Sequence, residues 1–379
     1  MTRSVPMPSY PFGGGCPDPH SLPAAELAAA AQRILPRLQD DLARYPDRLG
    51  WLPLREVAAQ RFRDREGVSL PVESIVLTSG SQQGITLACQ ALLGPGKPVI
   101  VEEFTYPGTL RAMRHVGARI VGVPTDEGGM RIDRLAAILA EMSDRGELPG
   151  FIYTTPTYQN PTGATLSVAR RRELLALARQ YGVPVVDDNC YADLDYAGPP
   201  PPSLKALDPE GDVILFESFS KIVGPGLRSG YFAAPEPLRE RLLAHKIDAG
   251  TSILTAAILA EYLRDHLWEH VGRLREIGRR KRDAMLAAFE RSLGDRCAWQ
   301  VPDGGYFLWV RLPDACDVAR VHAAARARGI VYGDGRAFHY AEAEVPYFRF
   351  SFAYPTEAQI AEGVAVMAEC IEQAMAAPV

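Results

Sequence analysis

Between residues 74 and 235 the chain alternates short apolar runs with longer stretches of mixed polarity. The runs SIVLTSGS (74–81), PVIVEEF (98–104), GFIYTTP (150–156), VPVVDD (183–188), DVILFESFSK (212–221) and GYFAAP (230–235) read as buried strands. Between them, residues 82–93 and 167–181 have helical spacing, and Gly182 stops the second helix. Strand and helix in alternation predict an α/β fold with a mostly parallel sheet covered on both faces. Beyond residue 235 the pattern changes. Residues 255–293 predict one long helix, GGYFLWVRLP (304–313) and YFRFSFA (347–353) predict strands, and 318–328 and 357–374 predict helices, together a smaller α+β domain. The first 25 residues, rich in Pro and Gly, have no periodicity and are expected to pack against one of the two domains. The prolines at 199–202 read as a stiff surface loop. The basic run Arg170, Arg171 and Arg172 reads as a solvated helix face.

A length of 379 residues suggests about two domains. The formal charge of −5 argues against a nucleic-acid partner, which needs a basic surface. Only five of the 41 basic residues are lysine, which leaves few candidates for chemistry that requires an amine. The six cysteines, at 16, 89, 190, 297, 316 and 370, form no C-x-x-C pair, so buried free thiols in a reducing cytosol are expected. The first residues carry no secretory signal pattern, and no apolar run approaches membrane-spanning length. A cytoplasmic protein with no membrane partner is expected.

Ligands of open α/β sheets gather at the carboxyl ends of strands. Ser79, Gly80 and Ser81 close one predicted strand and open the helix at Gln82, a ready anion site. Asp188 ends a second strand. Ser218, Ser220 and Lys221 end a third, with Arg228 seven residues on. Singly, each has a plain reading: a lone Lys is usually a solvated charge, and an Asp after a strand is often a turn residue. Together they describe a phosphate cup beside an amine nucleophile.

With these residues in view, the chain resembles fold-type-I pyridoxal-5′-phosphate (PLP) enzymes of the class I/II aminotransferase family. The likeness is to the branch that holds 2-aminoadipate and kynurenine aminotransferases and the catalytic halves of MocR-type regulators. It is carried by residues 77–110, YQNPTG (158–163), VVDDNCYADL (185–194), SFSKIVGPGLRSGY (218–231), GGYFLWVRLP (304–313), FRFSFA (348–353) and FGGGCPDPHSLP (12–23). The resemblance implies a large PLP domain over residues 45–269 and a small domain from 1–44 and 270–379. Lys221 matches the lysine that carries the cofactor as a Schiff base and moves the substrate's proton. Asp188 matches the acid on the pyridine nitrogen; neighbouring Asp187 is its positional rival, set aside because the family spacing is Asp-x-x-Tyr. Tyr191 and Asn160 match donors to the ring oxygen, and Tyr106 the aromatic on the ring face. Gly80, Ser81, Gln82, Ser218, Ser220 and Arg228 match the phosphate cup. Tyr45 matches a tyrosine that reaches the phosphate from a neighbouring subunit, so a homodimer with shared active sites is implied. Arg349, in an apolar strand, matches the fork for the substrate's α-carboxylate. With it, Asn160, Gly14 and Gly15 make up the implied substrate-binding set.

The implied reaction moves an amino group between an α-amino acid and a 2-oxo acid. The scaffold also supports cyclisation, elimination or replacement, and a catalytically silent PLP-binding protein is a third reading. No DNA-binding segment precedes residue 12, so a regulator is not expected. Relatives of the aminoadipate type recognise the substrate side chain from a longer N-terminal segment. Here Arg3 is its only cation, so a second-carboxylate site from that segment is not expected. His266, Glu269 and His270 fit H-x-x-E-H, but they lie in a charged helix without an evident third zinc ligand. Glu217 and Cys190 depart from the family pattern, and the sequence offers no physical account of either.

Overall fold

The computed structural model describes residues 10–209, 211–294 and 296–376; Arg3 lies outside them. Seven strands form the large sheet: β1 Ile75–Thr78, β2 Pro98–Glu102, β3 Arg119–Val123, β4 Ile152–Thr154, β5 Val185–Asp188, β6 Val213–Ser218 and β7 Gly230–Ala233. Their spatial order is β1-β7-β6-β5-β4-β2-β3. Only β7 runs antiparallel to its neighbours. Alternation along each strand fills both faces. Leu77, Leu215 and Tyr231 enter one core, and Ile100, Ile152 and Val185 continue that face in a second. Val76, Val101, Val186, Phe216 and Phe232 fill the opposite face. The expected two-faced sheet is therefore present. It has one strand more than the pattern predicts, because β3 is a partly exposed edge that opens on exposed Arg119.

Helices lie on both faces. Those that position the site are α1 Leu52–Glu66, α2 Ser81–Leu92, α3 Pro107–His115 and α4 Val168–Tyr181. The long helix α5, Ile253–Leu293, begins where the Ser252 side chain accepts from the Thr255 amide. At 41 residues it is about 60 Å long. Its first half gives Leu259, Leu263, Val271 and Leu274 to the large-sheet core. Its second half gives Met285, Phe289 and Leu293 to the core of the small sheet. That sheet is antiparallel: β8 Ala298–Trp299, β9 Phe307–Arg311, β10 Gly333–Asp334 and β11 Tyr347–Ser351, in the order β8-β9-β11-β10. The aperiodic start of the chain belongs beside it. Tyr10 and Pro11 pair with Ile330 and Val331, and buried Phe12 stacks on Phe350 at 4.4 Å between centroids.

Two expectations are corrected. Arg171 is not on a solvated face; it is fully buried, donating from Nη2 to the Pro156 carbonyl (2.7 Å) and from Nε to that of Leu166 (2.8 Å). Its neighbour Arg170 pairs with Asp126 at 2.6 Å. Cys16 and Cys316 are half-buried, whereas the other four thiols are buried as expected. No helix among the described residues is long and apolar enough to cross a membrane.

A buried cluster of four charges ties α1 to the end of β6. Arg61 reaches Asp193 at 2.5 Å and Glu217 at 3.0 Å. Arg65 reaches Asp193 at 2.9 Å and also pairs with Glu217. Glu217 thus has a physical role: it neutralises two arginines one residue before Ser218. Removing one member of such a cluster leaves buried charge uncompensated. Arg61→Leu should therefore lower the unfolding free energy by about 3–5 kcal/mol in urea titrations. Arg48→Leu, at the exposed pair with Glu240 (2.6 Å), should cost under about 1 kcal/mol. Equal losses would show that the cluster is not a stabilising element.

Candidate active site

The carboxyl ends of β1, β5 and β6 open into a cavity of about 490 Å³. Its wall includes Gly80, Ser81 and Gln82 from the start of α2, Asp188 and Tyr191 after β5, and Ser218, Ser220 and Lys221 after β6. Tyr106, Asn160, Arg228, Arg349, Gly14 and Gly15 complete the predicted set. All of these residues meet in one place. Tyr45 does not; it is 86% exposed and outside the cavity wall.

The anion-binding end is built by close backbone approach. Gly80 adopts φ +81°, and a Cβ there would stand 2.8 Å from Arg228 Nη2. Arg228, itself left-handed at φ +49°, donates from Nη2 to the Ser79 carbonyl at 2.6 Å. The first amides of α2 lack intrahelical acceptors, as at any helix start. A helix N-terminus, a guanidinium and the hydroxyls of Ser81, Ser218 and Ser220 therefore share one wall.

The two aspartates separate cleanly. Alternation in β5 sends them to opposite faces. Asp187 points away from the cavity, is fully buried, accepts from the Lys205 amide at 3.2 Å, and is pushed up to about 7 by burial. Asp188 faces the cavity. Tyr153 donates to its Oδ2 at 2.5 Å, while Oδ1 has no hydrogen-bond partner. Burial raises its pKa, and Cys190, Tyr153 and Lys221 oppose that rise. An orphaned, buried carboxylate oxygen in a polar cavity is the partner that a protonated ring nitrogen needs.

Lys221 Nζ donates to the Gly15 carbonyl at 2.7 Å and lies 5.4 Å from the centre of the Tyr191 ring. Burial holds its pKa below the usual lysine range, which favours the free amine. A side chain at Gly15 would be tight, since a Cβ would stand 3.0 Å from Phe307 Cζ and 3.4 Å from Lys221 Nζ. Tyr306 donates to the Lys221 carbonyl at 2.6 Å and fixes the loop from below.

Arg349, on β11, is buried, and burial lowers its pKa to about 10. It donates to Asn160 Oδ1 at 2.6 Å and to the Gly13 carbonyl at 2.5 Å, and lies between the rings of Phe307 and Phe338 at 4.0 and 4.7 Å. Among the described residues it has no carboxylate partner, which is costly for a buried cation unless a ligand supplies one.

The sequence reading did not single out Tyr153, Thr155 or Phe307 for the site. Tyr153 carried a signal: a hydroxyl in an apolar strand, in register with Val186 and so on the face of Asp188. His270 is explained without metal, because its Nε2 meets the Ile222 carbonyl at 2.5 Å.

Comparisons with known proteins agree with this geometry. The family profile "Aminotransferase class I and II" matches residues 14–367. Aromatic-amino-acid aminotransferase 1 of Thermococcus litoralis is 35% identical over 96% of this chain and 88% of its own length. The crystal structure of kynurenine aminotransferase from Pyrococcus horikoshii, in complex with PMP and kynurenine, superimposes with a TM-score of 0.91 at 34% identity, covering 97% of this chain and 92% of that one. The α-aminoadipate aminotransferase LysN of Thermus thermophilus, complexed with N-(5′-phosphopyridoxyl)-L-leucine, gives 0.89 at 32% identity, over 97% and 93%. This chain, with its fold-type-I architecture and its cavity fitted for pyridoxal phosphate, belongs to the class I and II aminotransferase family.

Proposed function

We propose that this PLP-dependent aminotransferase works through Lys221, Asp188 and Arg349, moving an amino group between an α-amino acid and a 2-oxo acid. The observation that carries the assignment is one cavity holding three unmet needs: a desolvated amine, an orphaned carboxylate oxygen and a buried guanidinium without an acid. Bound there, pyridoxal phosphate supplies an electron-withdrawing ring that stabilises negative charge at the substrate's α-carbon. Arg228, Ser81, Ser218, Ser220 and the start of α2 would hold its phosphate. Asp188 Oδ1 would keep a proton on the ring nitrogen, with Oδ2 braced by Tyr153. Asn160 spends its Oδ1 on Arg349, which leaves its amide N–H as a donor toward the ring oxygen beside Tyr191. Arg349 takes the substrate carboxylate as a planar fork. That grip would orient the α-hydrogen toward Lys221 Nζ, which would accept it from the α-carbon and donate it to the cofactor's former aldehyde carbon rather than back to the α-carbon.

The active site is shared in a homodimer. Tyr45 is exposed among other exposed apolar side chains: Leu35, Leu42 and Leu52 nearby in sequence, and Ile247 and Leu254 across a tight approach of Gly250 to Pro46. Exposed apolar side chains around Tyr45 suit an interface with a second copy of the chain, and a two-fold pair is the commonest oligomer.

Three outcomes test this reading. Purified holoenzyme mixed with an amino acid, without acceptor, should release one 2-oxo acid per site and stop in the amine form of the cofactor. Primary amines lacking a carboxylate should react far less, because Arg349 has nothing to grip; continuous ammonia release or equal amine turnover overturns the assignment. Asp188→Asn should lose turnover by about a thousandfold or more, since an ionic partner in a dry site is worth several kcal/mol. Asp187→Asn should be much milder, and the reverse ranking would move the role to Asp187. Mixing Tyr45→Phe chains with Lys221→Ala chains, each nearly inactive alone, should restore activity in heterodimers that carry one intact site. No recovery in verified heterodimers would remove Tyr45 from the partner's site.

A further inference from the structure

We propose that Arg111 is a second anion site, taking the distal carboxylate of a dicarboxylic substrate whose α-carboxylate lies on Arg349. The inference rests on the reading of Arg349 above. Arg111 stands on α3 and lines a second cavity of about 750 Å³ that shares Gly13, Gln82, Tyr106 and Arg349 with the first. A side chain leaving the substrate's α-carbon away from the cofactor has this space to enter. His115 follows Arg111 by four residues, so both lie on the helix face that forms the wall.

Partners distinguish Arg111 from the arginine three positions on. Arg114 is committed to Glu342 at 2.8 Å and to the Tyr340 carbonyl at 2.9 Å. Among the described residues the Arg111 guanidinium has neither an ion pair nor a hydrogen bond. One acid, Asp334, also lines the cavity, but His322 Nε2 at 3.2 Å and the Arg336 amide at 3.0 Å already engage it. Two guanidiniums, those of Arg111 and Arg349, stand on the wall against that one carboxylate. Tyr106 lines both cavities; burial raises its phenol pKa, and both guanidiniums oppose that rise. A planar fork at each end suits a molecule with a carboxylate at each end. Phe338, Tyr332 and Pro107 line the same space, so apolar side chains also fit and supply the control.

The experiment compares holoenzymes of the wild type, Arg111→Gln and Arg111→Lys on glutamate against glutamine, and on 2-aminoadipate against phenylalanine. Cofactor absorbance is recorded for each variant. The wild type should favour glutamate over its neutral isostere. Arg111→Gln should lose roughly ten- to a hundredfold in kcat/KM for the two dicarboxylates, through KM, with the neutral substrates and the cofactor spectrum unchanged. Arg111→Lys should recover part of the loss, because it keeps the charge without the fork. Equal losses for both substrate kinds, or a wild type that does not prefer glutamate, overturn the Arg111 site while leaving aminotransfer intact. Failure of every amino acid to convert the cofactor overturns the reading of Arg349 as well.

Discussion

Every charge taken out of water in this protein must be given something in exchange, and what each one receives sorts structure from function. Arg61 and Arg65 receive Asp193 and Glu217. Arg171 receives main-chain carbonyls and a threonine hydroxyl. These exchanges are complete within the chain, and they fasten α1, α4 and the end of β6 around the sheet. Arg349 and Asp188 are only half served: two carbonyl-type oxygens and two aromatic faces for one, the Tyr153 hydroxyl and Cys190 for the other, with Oδ1 left without a hydrogen bond. Both shortfalls fall in the same cavity. A molecule that presents an acid, a cationic ring nitrogen and a phosphate answers them together.

Much of this was legible in the sequence because buried parallel strands are short and almost wholly apolar, and because their carboxyl ends carry the chemistry. The runs ending at Thr78, Asp188 and Ser218 announce both the sheet and the site. What escaped did so for physical reasons. β3 is an edge strand, and its Gly122 is left bare because Tyr340 would occupy the place of a Cβ, at 2.3 Å. α1 buries Arg55 and Arg61 beside Leu54, Val57 and Phe62, so polar and apolar positions do not separate along it. A run of three arginines looks uniform on paper, yet Arg171 turns inward while Arg170 finds Asp126.

The choice between neighbouring aspartates shows where pattern and geometry meet. Spacing to Tyr191 favoured Asp188, but spacing alone cannot say where a carboxylate points. Strand alternation decides it, since one residue of register moves a side chain from the cavity to the opposite face of the sheet. Glu217 makes the complementary point. Its charge was inexplicable alone because both partners lie more than 150 residues away in sequence, on α1.

The glycine segment and Arg349 are built into one body. Phe12 is stacked on Phe350, Tyr10 and Pro11 are hydrogen-bonded beside Ile330, and Arg349 is held to the Gly13 carbonyl on the same small sheet. Lys221, by contrast, is anchored to the large sheet, and its amine touches the Gly15 carbonyl across the divide. The Arg349 guanidinium and the backbone of residues 13–15 that meets the Lys221 amine are thus fixed to each other, so the grip on a carboxylate and the cover over the reacting amine are set by one piece of structure.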